Sequence, residues 1–163
     1  MYPNSFKKLI SHFASLPSIG PKMAERLVLY LFKQEKDNLE DFAESIHALQ
    51  MLHSCQRCGN IAENGLCEIC KNTKRNQGEI CVVEEPMDII SIEKTGAYHG
   101  LYHVLGGVIS PSAKNQELRL SPLLKRIKEE KTQELILATN PTTEGDATAF
   151  YVKKKIKDSK LEV

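Results

Sequence analysis

Four cysteines, Cys55, Cys58, Cys67 and Cys70, spaced C-x2-C-x8-C-x2-C, constrain this 163-residue chain more than any other feature. Two tight C-x-x-C turns aim four thiolates at one point, the donor set of a tetrahedral Zn²⁺ ion. Four sulfur ligands close the coordination shell, so the ion is expected to be structural, one per chain. It stands in for the hydrophobic core that a module of about 20 residues cannot build. The spacer holds Gly59, Asn60, Asn64 and Gly65, turn residues that let the two knuckles meet. Free thiols or disulfides are the other reading, but in a reducing cytosol paired C-x-x-C motifs are metal ligands first. His53 is expected at a helix end rather than on the metal. Cys81, which opens the apolar run CVV, reads as a small buried strand residue.

The cysteines divide the chain into a helical region, 1–54, a finger with its linker, 55–79, and an α/β region, 80–163. The whole is α+β and built of modules. Hydrophobic residues make up 41% and charged residues 26%, as in globular proteins that stay in water. The start MYPNSFKKLISHF has no apolar leader segment, and no apolar run approaches the roughly 18 residues of a membrane span. A cytoplasmic protein without membrane contact is expected. The formal net charge is +1, so any DNA contact must rest on local patches or on several copies of the chain.

In the front region Phe6, Leu9, Ile10, Phe13 and Leu16 recur at helical spacing over 4–16, with Asn4 as N-cap. LPSIGPK follows: Pro17 stops the helix, Gly20 is free to take positive φ, and Pro21 suits the first turn of a second helix, 21–33. Met23, Leu27, Leu31 and Phe32 form its expected inward set. A third helix, 39–53 with Asn38 as N-cap, is expected to close the bundle. The turn resembles a helix-hairpin-helix, whose open backbone N–H groups and positive helix end grip phosphate. Lys22 and Arg26, four residues apart, share a face at the mouth of that helix. A plain αα-hairpin with solvated basic residues is the competing reading. Residues 71–79, with Lys71, Lys74 and Arg75, read as a solvated linker.

The back region alternates strand and helix: strands at 80–84, 101–105 and 134–139, and helices at 86–95, 122–131 (Ser121 N-cap, Pro122 first) and 146–158. Such a pattern implies a mostly parallel sheet covered on both faces, with function at the carboxyl ends of its strands. Glu84 ends the first strand, and Glu144 and Asp146 follow the third. Their carboxylates suit Mg²⁺, a layout that resembles a Toprim domain; alternatively they are helix caps in water.

The series LPSIGPK with Arg26, the cysteine set with CGN, ICVVEEP, YHVLGGVISP and LATNPTTEGDAT runs along nearly the whole chain. In that order it closely resembles the RecR family of bacterial recombination mediators. The resemblance implies a non-catalytic DNA clamp with an N-terminal helix-hairpin-helix bundle, a four-cysteine zinc finger and a Toprim domain. It implies dimers or ring tetramers that act with RecO and/or RecF to load recombinase on gapped DNA covered by single-strand-binding protein. It places Lys22 and Arg26 on DNA, and Glu84, Glu144 and Asp146 in an acidic cluster used mainly for partner binding. Two departures stand out. After Ser110-Pro111 the family usually has a glycine-containing loop, where this chain reads SAKNQE. The family pattern also continues past residue 163, through a P-V-G-G segment and a closing helix that complete the sheet and contribute to subunit contacts. Two further functions stay open beside the clamp. One is a Mg²⁺-dependent nuclease or strand-passage enzyme, although no motif-embedded catalytic tyrosine is visible. The other is a protein-interaction module that binds no DNA itself.

Overall fold

The computed structural model describes residues 2–110, 118–156 and 161–163; the loop 112–117 singled out above lies outside them. The chain forms two compact units, residues 1–50 and 51–163.

The first unit holds α1 (Asn4–Ala14), α2 (Pro21–Phe32) and α3 (Lys36–Ala48). α1 packs against α2 over Ala24 and Val28, both buried, while Phe6, Ile10 and Phe13 are half-buried. The Phe6 and Phe32 rings meet edge to face at 6.2 Å, a favoured aromatic geometry. The expected inward set of α2 is corrected in part: Leu27 and Leu31 are half-buried, but Met23 and Phe32 are largely exposed, and the small pair Ala24 and Val28 lets the two helices approach. The caps also differ. Pro3, not Asn4, precedes α1, and Glu35, not Asn38, precedes α3, with no side-chain cap at either. In the hairpin turn the left-handed residue is Ser18, at φ 64°, whereas Gly20 is extended at φ −81°. α3 does not close the bundle. All of its residues are exposed, Leu39, Phe42 and Ile46 included.

The second unit opens with the β1 (His53–Ser54) and β2 (Ile61–Ala62) ribbon and the single turn α4 (Glu68–Lys71). There follow β3 (Glu79–Val83), α5 (Pro86–Glu93), β4 (Leu101–Val104), α6 (Leu120–Glu129), β5 (Glu134–Leu137) and α7 (Thr143–Lys155). The three longer strands form a parallel sheet in the order β4-β3-β5. β3 is central, and its period-two alternation feeds two cores. Ile80 and Val82 join Leu101, Leu123, Ile127, Leu135 and Val152 on one face. Cys81 and Val83 join Ile89, Tyr102 and Val104 on the other. Burying each such aliphatic side chain contributes about 1.5–3 kcal/mol. Beyond β5, Glu162 makes a parallel bridge to Glu134, with Leu135 N–H donating to the Glu162 carbonyl at 2.8 Å.

α6 starts at Leu120 behind Arg119, so Ser121 and Pro122 lie within its first turn. α7 starts at Thr143, three residues earlier than the apolar pattern implied, because Thr142 caps it by accepting from Gly145 N–H at 3.0 Å. Asp146 therefore sits inside the helix and is not its N-cap.

Candidate metal centre and nucleic-acid interface

Cys55 and Cys58 lie on the turn between β1 and β2; Cys67 precedes the α4 turn and Cys70 lies within it. All four are buried, and their Sγ atoms lie within 4.8 Å of one another. Cys58 Sγ and Cys67 Sγ are 3.6 Å apart. Tetrahedral ligands at a Zn–S distance of about 2.3 Å stand about 3.8 Å from each other, so the spacing fits the ion. Gly59 takes φ +81°, and a side chain there would run into Arg119 and the Val104 carbonyl. The knuckle needs this glycine for both conformation and room. Cys67 N–H donates to Cys55 Sγ at 3.3 Å and Asn60 N–H to Cys58 Sγ at 3.5 Å, the contacts that a thiolate accepts. Burial opposes ionisation of Cys55, but backbone N–H groups from Cys58, Cys67 and Arg57 outweigh it and bring its pKa down to about 7. Cys58 is pushed the other way by the neighbouring Cys70 sulfur and by burial. Without a cation four thiols at one point cannot all ionise; a dication resolves the conflict. His53 is exposed on β1 and is not part of the cluster.

The cysteine module is docked onto the sheet. Val104 N–H, at the end of β4, donates to the Cys58 carbonyl at 2.7 Å, and Ile69 packs against all three apolar clusters of this unit. Arg57, between two ligands, donates from Nε to Glu130 Oε1 at 2.7 Å. Arg126 Nε donates to the other oxygen of Glu130 at 2.7 Å, and its Nη1 to the Tyr102 carbonyl at 2.6 Å. Burial works against the Glu130 carboxylate, yet Arg57 and Arg126 hold its pKa below the usual range. The i,i+4 spacing of Arg126 and Glu130 is the one local signal for this relay; nothing in the sequence points to Arg57 or Tyr102, and Arg126, which reads as a surface residue of α6, is 4% exposed. Arg75 is a second correction. It is not part of a solvated run but pairs with both oxygens of Glu93, at 2.9 and 2.6 Å, and reaches the Gly100 carbonyl at 2.7 Å.

The three acids are not gathered into a metal site. Among the described residues the four cysteines are the one group of three or more metal-ligating side chains placed to hold an ion. Glu84 is 7% exposed, and both its oxygens are used: Asn140 N–H donates to Oε1 at 2.8 Å and Asn140 Nδ2 to Oε2 at 2.6 Å. Its carbonyl also accepts from Gly106 and Gly107 at 2.9 and 3.1 Å. Glu84 thus ties the carboxyl ends of β3, β4 and β5 together. Glu144 and Asp146 are exposed in the first turn of α7, where the helix dipole favours carboxylates. Nothing here supports Mg²⁺. Gly145 packs between Asn140 and Glu84: an added Cβ would clash with the Asn140 carbonyl oxygen and stand 3.0 Å from Glu84 Oε1. Gly145→Ala is therefore expected to cost about 1–3 kcal/mol and to lower Tm by roughly 5 °C or more, as calorimetry would show. An unchanged Tm would mean that this knot does not hold the strand ends.

In the first unit, Lys22 and Arg26 are both exposed on the first two turns of α2. Among the described residues neither makes an ion pair or a side-chain hydrogen bond. No side chain caps α2, so the N–H groups of its first turn stay open behind Pro21. A Cβ on Gly20 would meet nothing within 4 Å. Neither the conformation nor the packing of this unit asks for glycine there; its bareness leaves room for close approach from outside.

Models of known families match in three consecutive blocks. Residues 6–49 match the RecR helix-hairpin-helix, 52–72 the RecR four-cysteine zinc finger domain and 78–163 the Toprim domain. The chain is 40% identical to the recombination protein RecR of Rubrobacter xylanophilus, over 99% of this chain and 83% of that protein. It is 46% identical to the RecR of Herpetosiphon aurantiacus, over 94% and 77%, and 45% identical to that of Dehalococcoides mccartyi, over 91% and 74%.

Proposed function

The chain belongs to the RecR family, and from that premise we propose that it is a DNA-binding mediator of recombinational repair. It acts in the cytoplasm, without catalysis of its own, with RecO and/or RecF, and helps to load recombinase on gapped DNA covered by single-strand-binding protein. The observation that carries this reading is the uncapped, glycine-bared start of α2 with Lys22 and Arg26 beside it, inside the block that matches the RecR hairpin. Open N–H groups and two exposed cations position a phosphate backbone without reading sequence. Zinc at Cys55, Cys58, Cys67 and Cys70 has a structural role, since four thiolates leave no position for substrate or water. The enzymatic alternative finds no support at Glu84, whose oxygens are already engaged. Glu144 and Asp146 instead form an exposed acidic corner suited to a basic partner protein. The test is a labelled gapped duplex mixed with zinc-loaded protein in Mg²⁺. Retention of intact DNA is expected, and cleavage lost on Glu84→Gln would overturn the reading.

Self-association is part of the same proposal. Leu39, Phe42, Ile46 and Leu49 follow the 3-4-3 spacing of a coiled-coil seam and are 40%, 40%, 51% and 62% exposed. A helix of 13 residues is marginal alone in water, which supports a second copy against this stripe. Ile46→Glu is expected to move the sedimentation coefficient towards that of a monomer. An unaltered profile would place the contact elsewhere.

A further inference from the structure

We propose that the outer face of α7 is a second nucleic-acid site: it takes single-stranded DNA, stacking a base on Phe150 and holding flanking phosphates on Lys153 and Lys154. This deepens the DNA-binding reading above and rests on it. Gly145, Thr148 and Val152 turn the inner face of α7 into the core. Phe150 is on the opposite side and is 72% exposed, nearly as bare as Phe32 and Met87, the barest large apolar side chains described. Lys153 and Lys154 lie three and four residues on from it, so they are its neighbours on the helix surface. Tyr151, 39% exposed, has Lys155 Nζ 5.2 Å from its ring centre. Tyr151 and Lys155 lie round the flank of the helix, so the outer strip is the bare Phe150 ring with Lys153 and Lys154 one turn on; Lys153 Nζ donates to the Val163 carbonyl at 3.3 Å on the exposed surface. The acids of α7, Glu144 and Asp146, are confined to its first turn, and Asp146 is about 12 Å along the axis from Lys154.

The helix dipole alone would account for lysines in a last turn, but it gives no reason for a bare phenylalanine among them. A single strand uses both. Its phosphates attract the ammonium groups, and its unstacked bases offer flat faces that any aromatic side chain can cover. A duplex hides those faces inside its own stack, so the ring selects single strands. A gap presents duplex and single strand together, matching the phosphate grip of α2 and the stacking face of α7 in one chain.

The chain has no tryptophan, so Phe150→Trp places a single reporter on the strip. The zinc-loaded full chain is titrated with oligothymidylate of about thirty nucleotides, ample for one binding site, and with a blunt duplex of equal length. Expected are quenching of the reporter's indole fluorescence by the single strand and about tenfold weaker single-strand binding by Phe150→Ala. Replacing Lys153 and Lys154 with alanine should lower the salt slope by about 1.4. Duplex binding should hold in both variants, and the quench should survive Lys22→Ala with Arg26→Ala. Steady fluorescence with unchanged Phe150→Ala affinity overturns the proposal, while duplex binding still sensitive to Lys22 and Arg26 would leave the hairpin reading standing. Equal quenching by polyglutamate would make the face an acidic-protein site and also overturn it. If the unaltered chain binds neither DNA, both readings fall.

Discussion

Cys58→Ser is expected to bring zinc content from one ion per chain to near zero and to unfold the module that the ion organises. Free energies of zinc binding in small fingers run to about 10–16 kcal/mol, as large as a typical domain's whole stability. Residues 55–70 have little else to hold them: a two-residue ribbon, one helical turn, and a cluster made of the ligands with Ala62, Leu66 and Ile69. The damage should spread, because Cys58 also fixes the sheet. Its carbonyl accepts from Val104, and Arg57 beside it is one end of the relay through Glu130 to Arg126 and Tyr102. Arg126 is almost wholly buried, so a Glu130 that swings free leaves a charge in the core with one carbonyl for company. Hydrogen exchange is the discriminating measurement. The amides of Cys55, Gly59 and Val104 should lose protection in Cys58→Ser or after chelation, and those of β3 should weaken. The α1–α2 hairpin, in the other unit, should keep its protection. A metal-free protein with the same melting curve and exchange pattern would show that packing, not zinc, carries this module.

Elements set by local chemistry were readable from the residues. The C-x2-C spacing located the cluster, the β-branched run ICVV located the central strand, and Pro21 marked the first residue of α2. Cys81 is buried on β3, as its apolar neighbours implied. What escaped depends on contacts between distant segments. Nothing local says that Ser18 rather than Gly20 takes the left-handed conformation, since the choice is made by how α1 and α2 close on each other. α3 has an apolar stripe that periodicity assigns to a core, but a stripe names a need for cover, not its source. Glu84 looks like a metal ligand by its place at a strand end, yet Asn140, 56 residues later, takes both its oxygens. Arg126 and Arg75 look solvated because charge is normally outside; Arg75 is drawn inward by Glu93 and the Gly100 carbonyl, and Arg126, beside its helix neighbour Glu130, by the Tyr102 carbonyl 24 residues back. The candidate site was thus legible where spacing makes the chemistry and illegible where folding spends a carboxylate on structure.

Lys22→Ala combined with Arg26→Ala is expected to weaken binding to a gapped duplex by a factor of about 10² to 10⁴, at a charge-assisted bond worth roughly 1.5–3 kcal/mol per side chain. Two lost phosphate contacts should also flatten the slope of log affinity against log salt by about 1.8. The loss should be the same for unrelated sequences, because contacts to phosphate carry no base information. Stability should not follow: both side chains are exposed and, among the described residues, make no ion pair, and α2 is held by Ala24 and Val28 on its other face. Equal melting curves therefore separate a lost contact from a lost fold. If the protein self-associates, each assembly presents several hairpins to one DNA, and a deficit in each multiplies through effective concentration. The double variant should then lose more affinity than an Ile46→Glu protein carrying intact hairpins loses per bound chain. Anisotropy with labelled gapped DNA, run at three salt concentrations, reads all of this at once. Full affinity with an unchanged salt slope would remove α2 as the DNA-gripping element, and the open N–H groups behind Pro21 would then be the features of an ordinary αα-hairpin.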